Sequence, residues 1–586
     1  MSETPLASNE LAHWFTQNTE ARLRFLYAEE QVPALMERLI NRLQQETIKI
    51  DISDIESHWS EKDIILITYG DSIQQPGETP LQTLYEFLSL HLKNSINSVH
   101  ILPYFPYSSD DGFSVIDYKT VDPELGTWTD IERIDKDFHL MTDLVINHVS
   151  RENLWFIDYI SQKKPGCDYF LELPQETDVS LVVRPRSSAV LTPVHTHDGI
   201  RHVWATFGED QIDVNFENPD VLFEFIDILL LYIAKGSRFI RLDAIAFLWK
   251  KAGSRCINLR ETHEVVKLLR DIVDMVAPGT VLITETNVPN GENLSYFGNS
   301  DEAHMVYQFT LPPLLLHALH HGNGHFLSQW AKDMPRAPKN CTYLNFIASH
   351  DGIGLRPAEG ILPEEEVQTL VGAMHEYNGY VSMRTDQFGK ESPYEINIAL
   401  FDALKGTHLG LDQYQIQRFL CAHTIMIALQ GIPALYIHSL TGTLNDHQGV
   451  ETTGRTRSIN RRKWQYDELL EQLNNPAATH AIIFHELKRL LQIRRKQTAF
   501  HPSALQETVE LDTKLFAFWR ISHNQEQRIL TINNLSPEIQ EIELPLHPEI
   551  EGSGVWRDLI ERTALAKDTQ KIKLYPYQCV WLEALD

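Results

Sequence analysis

Three carboxylates, two histidines and an arginine stand where short apolar runs end along this chain. Asn147-His148 close the run Leu144-Val145-Ile146, Arg241 and Asp243 close Phe239 to Leu242, Glu285 follows Val281-Leu282-Ile283, and His350-Asp351 follow Thr342 to Phe346. A further acid, Asp71, follows Ile64 to Ile67. Taken singly, each has a plain structural reading: an aspartate after a strand caps a helix or a turn, and a lone histidine is a satisfied core residue. Converging on one rim, so many charges are costly unless a substrate uses them. Carboxylates around a pocket suit glycosyl transfer, whose transition state is an oxocarbenium cation: one attacks, one protonates the leaving oxygen, another grips hydroxyls. Asp243, two residues after Arg241, is expected to be held ionised by that guanidinium and so to serve as nucleophile. Glu285, between Thr284 and Thr286, must start protonated to act as an acid.

To bring these groups together, the runs that carry them must lie side by side. Eight β-branched or apolar runs recur after Asp63: Ile64–Ile67, Val99–Leu102, Leu144–Ile146, Phe239–Leu242, Val281–Ile283, Met305–Tyr307, Thr342–Phe346 and Ala434–Ile437. Amphipathic stretches such as 221–234 and 263–276 separate them, as in a parallel sheet covered by helices. Eight such strands predict an α/β fold of the (β/α)8 barrel type over residues 63–504, with catalysts at the C-terminal ends of the strands. Two connections are far longer than the usual few residues. One, about 150–215, carries Arg184-Pro185-Arg186; the other, about 352–408, carries Arg356, Arg384 and Lys390. Both follow barrel strands and are expected to shape the pocket. Residues 1–62 place Leu23, Leu26, Val32, Leu35, Leu39 and Leu43 at helical spacing, which predicts a helical N-terminal extension packed on the barrel's flank. Residues 505–586 turn to short alternating runs, which predict a small C-terminal antiparallel β domain.

With 51 basic against 80 acidic residues the net charge is −29, a surface that repels nucleic acid and anionic membranes. Five scattered cysteines imply no disulfide framework, and neither a signal peptide nor a spanning segment is apparent, which points to the cytoplasm.

The runs Asp143-Leu-Val-Ile-Asn-His148, Arg241-Leu-Asp-Ala244, Thr284-Glu-Thr286 and Ser349-His-Asp351 resemble, in order, the four conserved regions of the α-amylase superfamily. That resemblance implies Asp243 as nucleophile, Glu285 as acid/base and Asp351 as transition-state stabiliser, with His148, Arg241 and His350 on the glucosyl unit. Ile67-Thr-Tyr-Gly-Asp71, Asp111-Gly-Phe-Ser114, Arg184-Pro-Arg186, Leu311-Pro-Pro313, His350-Asp-Gly-Ile353 and Ile459-Asn-Arg461 are similar to the sucrose phosphorylase subfamily. This finer likeness implies that Asp71 pairs with Arg461 on a single glucose at the pocket's closed end, and that Arg186 lies near the acceptor or phosphate.

Sucrose phosphorylases usually carry a histidine where this chain has Asn287. The Glu285-Thr-Asn-Val-Pro289 run, the N-terminal extension and Ser392 to Asn397 look most like glucosylglycerate phosphorylases. By this resemblance an α-glucoside is cleaved by double displacement, with inorganic phosphate as co-substrate and no nucleotide, metal or redox cofactor. Arg384 and Lys390 are candidates to meet the carboxylate of glycerate. The expected partners are small molecules, with the chain a monomer or homodimer. A sucrose or glucosylglycerol phosphorylase and an α-glucoside hydrolase or transglucosidase share the same trio. A barrel serving only as a binding subunit is disfavoured by the presence of all three acids.

Overall fold

Runs that are apolar on both faces can be covered only from both sides, and in the computed structural model they form a closed eight-stranded parallel barrel. The structure describes residues 5–45, 58–185, 188–385, 391–543, 555–565 and 571–585. The barrel strands are β1 (Ile65–Thr68), β2 (Ser98–Ile101), β3 (His139–Val145), β4 (Ser237–Asp243), β5 (Val281–Thr284), β6 (Met305–Tyr307), β7 (Thr342–Asn345) and β8 (Ile432–Tyr436). Ile65 of β1 pairs with Ser98 of β2 on one side and Ala434 of β8 on the other, which closes the ring. β3 begins well before its predicted run, and β7 stops at Asn345. His350 and Asp351 therefore lie in the loop beyond β7 and not at its end.

Helices between the strands seal the outside of the ring. Two N-terminal helices, α1 (Pro5–Leu26) and α2 (Val32–Gln45), add a further layer on its flank. α1 buries Phe15, Thr19, Leu23 and Leu26, a stripe of i, i+4 and i+3 steps, and α2 buries Val32, Leu35, Met36 and Leu39. α3 (Pro219–Ala234), which leads into β4, starts with Pro219 in its first turn and with the Asn218 side chain accepting from Asp220 N–H. α2 holds it through Arg38 with Asp220 and Arg42 with Asp227, each at 2.5 Å. α4 (Arg260–Val276) packs along α1, where Arg22 reaches Asp271 at 2.8 Å and Glu264 at 3.2 Å.

Both long connections carry structure of their own. The first holds the antiparallel hairpin Leu191–Thr196 with Gly199–Trp204. The second holds α6 (Glu364–Glu376) and an antiparallel sheet of Ile353–Gly354, Glu391–Asn397 and Tyr380–Thr385; α5 (Leu311–His321) is the barrel helix that follows β6. The C-terminal segment forms a six-stranded antiparallel sheet with its own core around Trp519, Trp556 and Leu582. No described helix is long and apolar enough to cross a membrane.

α1 adds burial without supplying any residue to the rim. Leu23→Ala, at a site 1% exposed, is expected to cost about 2–5 kcal/mol. It should lower the thermal midpoint by several degrees and leave kcat/KM unchanged; a parallel fall in kcat/KM would mean that α1 does more than brace the barrel.

Candidate active site

The register of β3 against β4 sets Asp143 beside Arg241 and Val145 beside Asp243. Side chains at those positions share the barrel interior and form a chain of charges. His100 Nε2 lies 2.6 Å from Asp143 Oδ2, Asp143 Oδ1 accepts from Arg241 Nη1 at 2.5 Å, and the same Nη1 donates to Asp243 Oδ1 at 2.6 Å. Arg241 also faces the rings of Phe113 and Tyr307 at 5.7 Å. Burial works against the charge on Asp143, but His100 and Arg241 outweigh it and hold its carboxyl below the ordinary aspartate value. At Asp243 burial has the upper hand and raises the carboxyl, while the contact with Arg241 pulls it back down.

Glu285 sits one residue past β5. Burial, reinforced by the nearby charges of Asp243 and Asp351, pushes its carboxyl up to about 7 in spite of Arg241. Its Oε2 accepts from Ala244 N–H at 2.9 Å. That contact depends on the backbone turn after Asp243, because Ala244 holds φ 52 in the left-handed region. A non-glycine residue there costs roughly 1–3 kcal/mol, strain of the kind that collects at functional sites. Near neutral pH Glu285 is thus poised to give or take a proton beside Asp243, whose carboxyl contacts Arg241.

Asp351 is kept ionised by a different device. Arg457 Nη1 stands 2.5 Å from its Oδ1, and Arg461 Nη2 lies at 3.8 Å. Burial opposes ionisation, yet Arg457 and its neighbours hold the carboxyl far below the ordinary value. His350 is pushed down to about 3 by burial, so it is neutral at physiological pH and the arginines supply the field on Asp351. The His350 ring stacks on Phe113 with centroids 5.0 Å apart and planes within 7°. Arg457 is itself fixed by a two-point contact with Glu395, at 3.0 and 2.7 Å. Sequence reasoning did not single out Arg457 or Glu395. Glu395 stands inside the run Ser392 to Asn397, and Arg457 two residues before the run Ile459 to Arg461.

His148 is clamped by hydrogen bonds. Nε2 lies 2.9 Å from Phe113 O, which can only accept, so the ring carries its proton there and its Nδ1 accepts from Asn147 Nδ2 at 3.2 Å. Behind it, buried Lys250 donates to Asn147 Oδ1 at 2.7 Å and pairs with Asp213 at 2.8 Å. Asp213 also accepts from Thr206 N–H and Asn147 Nδ2.

One cavity is lined by Asp243, Glu285, Asp351, His148, Arg241, His350 and Asn287. Asn287 leaves its Oδ1 buried without a partner among the described residues. A Cβ on Gly354 would come within 2.7 Å of Asn287 Nδ2, so glycine there gives the amide its room. The expected pair of Asp71 and Arg461 is not formed. Asp71 takes Lys463, two residues further on, while Arg461 takes Asp111 and donates to His350 O at 2.8 Å. The cause is the turn at Asp110–Gly112, where Asp111 holds φ 50 and turns its carboxylate toward Arg461. Asp71 and Arg461 line a second, adjoining cavity with Tyr69 and Tyr107. Arg384 is also engaged elsewhere: it pairs with Glu359 at 2.5 Å and donates to Ser392 at 3.1 Å. Arg186 and Lys390 lie outside the described residues.

Comparison with known proteins identifies relatives of this chain. The alpha-amylase catalytic domain model matches residues 91–353. The glucosylglycerate phosphorylase of Escherichia coli (strain K12) is 42% identical over 553 residues, covering 94% of this chain and 96% of that one. The enzyme of the same name from Allomeiothermus silvanus is 46% identical over 492 residues, covering 84% and 88%. Among solved structures, a sucrose 6F-phosphate phosphorylase from Thermoanaerobacter thermosaccharolyticum superposes with a TM-score of 0.71 at 23% identity, over 81% of this chain and 94% of that one.

Glu285 has an ordinary value of 4.5 and a folded value of about 7. A raised folded value gives a contribution to stability that is full below the unfolded value and is lost as pH rises through the folded one. Glu285→Gln keeps the shape and an acceptor for Ala244 N–H while removing that titration. Its thermal midpoint is expected to exceed the parent's at about pH 8 by clearly more than at about pH 5. A midpoint difference that does not change with pH would place the buried proton elsewhere.

Proposed function

The chain belongs to the α-amylase family and, within it, to the glucosylglycerate phosphorylases, and on that footing we propose that it reversibly phosphorolyses 2-O-α-D-glucosylglycerate to α-D-glucose 1-phosphate and D-glycerate. The observation that carries this reading is the convergence, in one cavity, of three carboxyl groups held in different states by their surroundings.

Asp243 attacks the anomeric carbon as the bond to the glycerate oxygen breaks, and that oxygen takes the proton of Glu285. The result is a β-glucosyl ester on Asp243 and a free alcohol. Ionised Asp351 lies against the sugar and stabilises the cationic character of both transition states. Glycerate departs, and a phosphate oxygen approaches through the space it leaves. Glu285, now a carboxylate, accepts the phosphate proton as the new C–O bond forms and Asp243 is released. Two inversions give net retention. Inorganic phosphate is a co-substrate, and no nucleotide, metal or redox group takes part in the chemistry. The acidic surface and small-molecule substrates fit an enzyme of the cytoplasm.

Phosphate and glycerate both bring negative charge into a site rich in carboxylates, so cations must meet them. Arg186, next to the lining residue Pro185, is the candidate for phosphate. For the acceptor, Arg356 is better placed than Arg384, which already holds Glu359. Arg356 follows the lining residue Gly354, and Leu355 N–H donates to the carbonyl of another lining residue, Tyr394, at 3.0 Å. The Arg356 side chain is buried, and its Nε has no partner among the described residues. Burial weighs against its charge more than the nearby Tyr394, Glu359 and Glu292 support it, a cost that the carboxylate of a bound acceptor would offset.

Two measurements test the assignment. Run in reverse with α-glucose 1-phosphate and a panel of acceptors, the enzyme should release phosphate faster with glycerate than with glycerol or fructose, and forward turnover should require phosphate. Glycerate no better than glycerol removes the acceptor assignment, and turnover at full rate without phosphate makes the enzyme a hydrolase. Arg356→Ala should weaken glycerate by about 10- to 100-fold, the worth of a hydrogen bond to a charged group, while a neutral acceptor loses little. Equal losses would return Arg356 to a packing role.

A further inference from the structure

On the side of the barrel served by α5, four imidazoles gather about one carboxylate. His317 and His321 are one helical turn apart and stack with ring centroids 4.2 Å apart. The carboxylate comes from another element, Glu366 in the first turn of α6. His317 Nε2 lies 3.0 Å and His321 Nε2 3.3 Å from the same oxygen, Glu366 Oε2. His408 stacks on His321 at 5.2 Å, and buried His320 completes the group.

The hydrogen bonds leave this arrangement short of positive charge. His321 Nδ1 lies 3.2 Å from His317 O, a carbonyl that can only accept, so the ring's proton is on Nδ1. In neutral His321 the lone pair of Nε2 then faces a lone pair of the Glu366 carboxylate. Two lone pairs at that separation repel unless a cation lies between them: either a second proton on the ring or a metal ion. A backbone carbonyl fixing one ring nitrogen while the other points inward is also how metal-bound histidines are held. The spacing also admits a metal. The three donor atoms lie within 4.8 Å of one another, and a tetrahedral zinc ion with bonds of about 2.0–2.1 Å sets its ligands about 3.3 Å apart.

We propose that His317, His321 and Glu366 form a binding site for a divalent transition metal, with Zn2+ the ion that two imidazoles and a carboxylate suit best, and that the metal pins α6 to α5. Three protein ligands leave a fourth position for water. The i, i+4 histidine pair is visible in the sequence, but its third ligand arrives from a separate helix, so sequence reasoning alone found no metal-spaced cluster. α6 packs on the strand Glu391–Asn397, which supplies Tyr394 and Glu395 to the cavity wall. A metal at this position therefore braces the insertion that frames the active site from behind, without entering the chemistry.

The test uses the full chain, stripped with a chelator and titrated with zinc chloride by calorimetry at neutral pH, with the thermal midpoint read in parallel. One equivalent should bind and raise the midpoint. His321→Gln and Glu366→Gln, each at a partly exposed residue, should weaken binding at least about 100-fold and abolish the midpoint shift. Metal-free turnover of both variants should match that of the metal-free parent, which shows that they fold. Absence of uptake by the parent, or uptake of equal strength in both variants, overturns the site.

Discussion

Everything at the centre of this barrel depends on one guanidinium shared between two carboxylates. Arg241 is buried, donates to both Asp143 and Asp243, and is backed by His100 on the far side of Asp143. Removing one partner from such a group leaves an uncompensated buried charge, at a cost of about 3–5 kcal/mol. The arrangement exists only because β3 and β4 pair in one register. A slip of β4 by one residue would turn Arg241 and Asp243 to the opposite face of the sheet, away from Asp143. Folding and the setting of Asp243 are thus consequences of the same strand pairing.

Three acids share the cavity, and their surroundings give them separate states. Asp351 is gripped by Arg457 and approached by Arg461, Asp243 touches Arg241, and Glu285, with no ion pair among the described residues, rises to about 7. Groups whose surroundings drive them apart in this way are the ones that divide acid and base roles. The division is supported from behind. Glu395 orients Arg457, the left-handed turn at Ala244 presents an N–H to Glu285, and Lys250 with Asp213 steadies the residues around His148.

Much of this was legible in the sequence, and the part that was not has a common cause. The eight β-branched runs correspond to the eight barrel strands because strand formation in a parallel sheet is signalled locally by continuous apolar character. Asp243 and Glu285 stand at strand ends, so their convergence followed from the barrel itself. Partners supplied by loops were harder. The pairing of Arg461 with Asp111, which leaves Asp71 to Lys463, goes with a turn at positive φ at Asp111. Arg457 and Glu395 meet across two different connections, and no periodicity links them. Arg384 is the reverse case. A cation in a pocket-shaping loop suggested a ligand contact, yet Glu359 occupies it.

The central claim is that Asp243 becomes covalently bonded to the sugar while Glu285 handles the proton. α-Glucosyl fluoride separates the two, because fluoride departs without a proton donor and only the later step needs the base. Glu285→Gln should therefore load with this substrate in the absence of phosphate and stall. Intact and peptide mass spectrometry of the quenched protein should then show one added glucosyl unit, on the peptide that contains Asp243. Fluoride release with that peptide unlabelled, or with the label on another residue, would contradict the account.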